Sequence, residues 1–121
     1  MSKKIKWIDA PEDCDYLAAC SYLRLTHRIT EVKEIIANLR RAEMDEFKVK
    51  DIFRASELPM LDKENAHVKK EADKIEEGKG IAPILLYRDT GMGRLVVLDG
   101  YHRLCAVYLL DTDALIPCKI V

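Results

Sequence analysis

The chain has 121 residues, 49% of them hydrophobic, with five glycines and four prolines, the make-up of one folded domain rather than a disordered segment. Its formal net charge is −1, so it lacks the basic excess that non-specific nucleic-acid binding needs. No apolar run approaches the roughly 20 residues of a membrane span, and the basic start Met1-Ser2-Lys3-Lys4 is followed by Asp9, Pro11, Glu12 and Asp13, which does not read as a signal peptide; the expected location is cytoplasmic.

Residues 10–42 read as helical. Pro11 suits a first helical position, and Glu12, Asp13 and Asp15 complement the positive end of the helix dipole. Tyr16, Leu17, Ala19, Cys20, Leu23 and Leu25 supply an apolar face. Thr30 is the expected N-cap of a second helix. There Val32, Ile35, Ile36 and Leu39 fall at helical spacing, and Arg40 and Arg41 close the last turn. Trp7 and Tyr16 are expected to pack on the core.

Residues 47–50 read as a short strand or as the entry to a helical turn through Ile52 and Phe53. Leu58-Pro59-Met60-Leu61 is irregular. Asp62 is the expected cap of a charged helix over 63–77, with Val68, Ala72 and Ile75 on one face, ended by Gly78-Lys79-Gly80. Lys69, Lys70, Glu71, Asp73, Lys74, Glu76 and Glu77 alternate in sign, the pattern of a solvated face. Residues 83–87 and 94–98 form a hairpin around Asp89-Thr90-Gly91-Met92-Gly93. A helix over 101–110, a loop at 111–113 and a strand over 116–121 follow.

The most informative stretch is Val96-Val97-Leu98-Asp99-Gly100-Tyr101-His102-Arg103-Leu104-Cys105-Ala106. It reads as a buried strand, an Asp-Gly turn and a helix start. Such a start leaves backbone N–H groups unpaired and carries the positive dipole end. Arg103 and His102 add donors there, which suits an anion of phosphate size.

Helix, glycine turn, "PILLY", hairpin, "LVVLDGYHRLCAVYLL" and "IPCKIV" follow one another in an order that resembles the ParB/sulfiredoxin superfamily. The resemblance spans residues 47–121 and centres on Gly100-Tyr101-His102-Arg103 followed by Ala106. It implies an α/β (α+β) fold, a ParB/sulfiredoxin-like domain over 46–121 with a helical extension over 1–45. Family members bind ATP or CTP with the phosphates at this helix start. The resemblance therefore implies that His102 and Arg103 contact phosphate together with the backbone at Gly100 and Tyr101. It also places the start of the 63–77 helix beside the same pocket, where Glu64, Asn65 and His67 would contribute. The activities in the family differ: CTP hydrolysis with DNA clamping, ATP-dependent repair of over-oxidised peroxiredoxin, phosphoryl transfer to free serine. Sulfiredoxins carry a cysteine immediately before His-Arg, and Tyr101 stands there, so that activity is not expected. ParB proteins continue into a helix-turn-helix; the sequence ends at Val121, and a DNA-reading part is not expected. The kinase version of the motif is the nearest to Asp99-Gly100-Tyr101-His102-Arg103.

The expected function is thus nucleotide binding, with hydrolysis or phosphoryl transfer to a small molecule open. A DNA-associated accessory protein and a non-catalytic interaction module, homodimeric or with another partner, are the alternatives. Each candidate also has an ordinary structural role. Arg103 clamps phosphate or pairs with Asp99 or another carboxylate. His102 donates to phosphate and moves a proton, or only shapes the turn. Asp99 is a general base or a carboxylate for hydrated Mg²⁺, or caps the turn. Glu64, Asn65 and His67 serve the pocket or merely end a helix. The four cysteines lack a CxxC pair and read as free thiols. A zinc site from Cys14, Cys20 and His27 fits no standard ligand spacing.

Overall fold

A computed structural model describes residues 4–121; residues 1–3, and with them most of the basic start, lie outside it. In chain order the elements are α1 (Asp13–Leu23), α2 (Ile29–Arg41), β1 (Asp45–Lys48), α3 (Val49–Ser56), α4 (Ala66–Glu76), β2 (Ile84–Asp89), β3 (Arg94–Asp99), α5 (Tyr101–Leu110) and β4 (Leu115–Ile120). The fold is mixed α+β. Its sheet runs β1-β4-β2-β3, with β4 parallel to β2 and the other two pairs antiparallel. Among the described residues no helix is long and apolar enough to cross a membrane.

Strand alternation sends side chains to two faces. On β2, Ile84 and Leu86 enter one apolar cluster, and Leu85 and Tyr87 enter the other. On β3, Leu95 and Val97 join the first and Val96 and Leu98 the second. The first cluster is closed by α3 (Val49, Ile52, Phe53), α4 (Val68, Ile75) and α5 (Leu104, Cys105, Ala106, Val107). The second is closed by Tyr16, Ala19 and Leu23 of α1 and Val32 and Leu39 of α2. Tyr16 is buried there, with the Arg40 guanidinium 4.2 Å above its ring. Trp7 packs against the first cluster and bridges Ile81, held by hydrogen bonds from Ile81 N–H to Lys6 and from Ile8 N–H to Ile81. The helix α5 is buried over five consecutive residues from Arg103 to Val107, because sheet, α3 and α4 enclose it.

Three sequence expectations shift. The cap residue of α2 is Arg28, not Thr30; Thr30 lies in the first turn, and the Glu31 carboxylate reaches back to accept from Arg28 N–H at 3.2 Å. The charged helix starts at Ala66, three residues later than expected. Asn65 caps it by accepting from His67 and Val68 N–H at 2.9 and 3.1 Å. Asp62 instead closes a turn ahead of the helix, accepting from Glu64 N–H on its side chain and from Asn65 N–H on its carbonyl. Both alternatives raised for residues 47–50 hold in succession, since β1 ends at Lys48 and α3 begins at Val49.

Candidate functional site

The hairpin and α5 place the site. Leu85 pairs with Asp99 and Leu86 with Val97, so the ladder carries a bulge where β3 ends. Bulges re-aim the residues beside them. Gly100 then turns the chain into α5 at φ +105°, a conformation that side chains oppose. No side chain caps this helix start. It opens onto a polar cavity of about 380 Å³, walled by residues 99–103, by Gly80, Ile81 and Ala82, by Glu71 and Lys74 of α4, and by Glu12, Cys14 and Asp15 of α1.

Arg103 is buried at the centre of this wall. Its Nη1 donates to Ala82 O at 2.9 Å. Its Nη2 donates to Asp15 Oδ1 at 3.2 Å and to Asp99 Oδ2 at 2.7 Å. Of the two roles open to it, carboxylate pairing is the one occupied, with two partners. The other Asp15 oxygen accepts from Glu12 N–H at 2.8 Å in a capping box, so α1 is tied to the site by its own start. Two carboxyls on one guanidinium repel each other. Burial pushes the Asp99 carboxyl up first, and its hydrogen bond to Asp15 pushes it further; Arg103 pulls the other way, and the result is about 7. The Asp99 carboxyl therefore keeps its proton well above the usual carboxylate range.

His102 faces His67 of α4, ring centroids 4.9 Å apart. Burial lowers its pKa, His67 lowers it further, and Glu71 works weakly against both. One Glu71 oxygen is buried without a hydrogen-bond partner, while the other lies 3.6 Å from Lys74 Nζ. Tyr101 points away, its hydroxyl donating to the Pro59 carbonyl. Burial raises the Cys105 thiol, and Cys118, also buried, is pushed up to about 12 by the same cause. Both thiols are inert packing groups at neutral pH.

The structure brings Asp99, Gly100, Tyr101, His102 and Arg103 together at the cavity, with His67 behind His102. Glu64 is exposed and outside the cavity wall, and Asn65 is engaged as a cap. Sequence reasoning missed Asp15, Glu71 and Lys74. Asp15 read as a dipole partner of α1, and the other two as a solvated face. Among the described residues no group of three or more His, Cys, Asp or Glu side chains is arranged to hold a metal ion. Asp99 and Asp15 share Arg103. Cys14, Cys20 and His27 are not gathered into such a group. No family model, no curated protein and no solved structure matches the chain.

Proposed function

We propose that this cavity binds a nucleotide, ATP or CTP, through its phosphates. The observation that supports the reading is the uncapped start of α5 opening onto a polar cavity. Unpaired N–H groups and the dipole end there favour an anion. Lys74 adds a cation, and neutral His102 adds one ring N–H. Arg103 acts indirectly, by holding Asp99 and Asp15 in place. Because Asp99 holds a proton for much of the neutral range, its repulsion of phosphate is reduced. The same carboxyl, once ionised, is the proton acceptor for a water or hydroxyl attacking the terminal phosphate. In this reading any Mg²⁺ enters with the nucleotide.

The test is thermal stability with ATP, CTP, GTP, ADP and inorganic phosphate, each with and without Mg²⁺, on the native protein and on Lys74→Gln and His102→Gln. A ligand at ~100 times its dissociation constant adds about 2.7 kcal/mol. The expected result is a shift with one nucleotide that shrinks in both variants. No shift with any of them overturns the reading.

A second reading has its own observation. Leu17, Tyr22, Leu25 and Ile29 of the two N-terminal helices and their turn are exposed, Leu25 at 81%. An interaction module would present such apolar groups to a partner or a second copy. Light scattering over a range of concentrations tests the second copy. A monomer at every concentration removes the homodimer form.

A further inference from the structure

We propose that the groove between α3 and the β2–β3 hairpin is a second binding site, for a small carboxylic acid with an apolar body. The groove encloses about 420 Å³. Its floor is Phe47, Ile52, Leu86, Leu95 and Ile120, contributed by all four strands and α3. Apolar walls with a few fixed polar groups are the usual make-up of small-molecule sites of this volume.

The cation on this face is Arg88, which alternation sends to the same side of the sheet as Leu86 and which pairs with Leu95; Arg94 alternates with Val96 and Leu98 to the other side. Arg88 is exposed at the groove's edge, and among the described residues its guanidinium has no hydrogen bond or ion pair. The two acids of the groove are drawn elsewhere. Asp51 lies 3.7 Å from Arg54, and Asp89 Oδ1 accepts from Met92 N–H at 3.1 Å in the hairpin turn. A planar guanidinium matches a carboxylate with two parallel bonds. A purely apolar ligand would leave Arg88 unused. An anion with no apolar body would leave the floor wet. The occupant therefore carries both parts. This groove is not the nucleotide cavity. It takes Leu86 and Arg88 from β2, and the other takes Ile81 and Ala82 ahead of that strand, which spans on the order of 20 Å.

The experiment is calorimetric titration of the full chain with octanoate, and with octanol and octylammonium as matched controls. Octanoate is expected to bind, more weakly as salt rises, and at least about tenfold more tightly than either control, the loss expected for one charge-assisted contact. The variant Arg88→Met should lose that preference. Ala55→Phe, at an exposed position of α3 on the groove wall, should block all binding by filling it. Equal affinity for octanol and octanoate overturns the proposal, and so does octanoate binding that survives both variants. Octanoate binding should persist in Lys74→Gln, so a failed nucleotide reading leaves this result standing.

Discussion

Arg103 and Asp15, 88 positions apart in the chain, meet at 3.2 Å and join the N-terminal helix to the start of α5. Both side chains are only 11% exposed. With Asp99 at 2.7 Å, one guanidinium serves two carboxyls and a carbonyl. Replacing Arg103 by Met leaves two buried carboxyls with no cation between them. The expected loss of folding stability is about 3–5 kcal/mol, the range for a broken buried ion pair. Arg103→Lys should recover little, because one ammonium point cannot reproduce the fork. Adding Asp15→Asn and Asp99→Asn to Arg103→Met should restore part of the loss, since it removes the stranded charges. Urea unfolding of the four proteins measures this, and a loss under 1 kcal/mol in Arg103→Met would contradict the ion-pair account.

The Asp99 proton gives a pH signature. Folding raises this carboxyl from 3.8 to about 7. Between these values the folded state binds more protons than the unfolded chain, so its contribution to stability declines as pH rises from about 4 to 7 and is level above that. Asp99→Asn keeps an acceptor for Arg103 and cannot ionise. Stability of the native protein relative to Asp99→Asn should therefore fall across this window. Carboxylates remote from Arg103 titrate alike in both proteins and cancel. Parallel stability curves from pH 4 to 8 would show that Asp99 does not carry this proton.

Local patterns made much of this legible. The helical spacing of Val32, Ile35, Ile36 and Leu39, the hairpin around Asp89 to Gly93 and the strand-turn-helix at Asp99-Gly100 all lie where the pattern puts them. Each depends on neighbours within one or two turns. The pairing of Asp15 with Arg103 does not, and no periodicity reports it. Nor does any local pattern place β4 between β1 and β2. Lys74 and Glu71 carry the ordinary signature of a solvated helix, and only the packing of α4 on α5 turns them into cavity wall. The ParB/sulfiredoxin resemblance pointed to the same helix start, with the guanidinium aimed at a ligand. In the structure that guanidinium donates to Asp15, Asp99 and the Ala82 carbonyl.

The start of α4 separates two candidate caps three residues apart. Asn65 accepts from two N–H groups of the helix, and Asp62 from one N–H of the turn before it. Asn65→Ala should cost about 1 kcal/mol. Asp62→Ala, in an exposed turn, should stay within about 0.5 kcal/mol of the native protein. Thermal unfolding of the two variants checks this, and the reverse order would return the cap to Asp62.

Gly100 and Gly78 both adopt positive φ, at +105° and +73°, yet they are not equivalent. A Cβ on Gly78 meets nothing within 4 Å, so Gly78→Ala carries only the conformational cost of about 1 kcal/mol. A Cβ on Gly100 would run into the buried Ile84 side chain and stand 3.1 Å from Arg103 Nη2. Ile84 is held by the first apolar cluster and cannot withdraw without opening it. Gly100→Ala should therefore add about 1–3 kcal/mol of overpacking to its backbone strain. It should also displace Arg103 from Asp99, moving the titration of Asp99 away from its native midpoint. Denaturant unfolding gives the first effect and carboxyl titration by NMR the second. Equal stability losses in Gly78→Ala and Gly100→Ala would mean that backbone conformation alone, and not the approach of Ile84 and Arg103, requires glycine before α5.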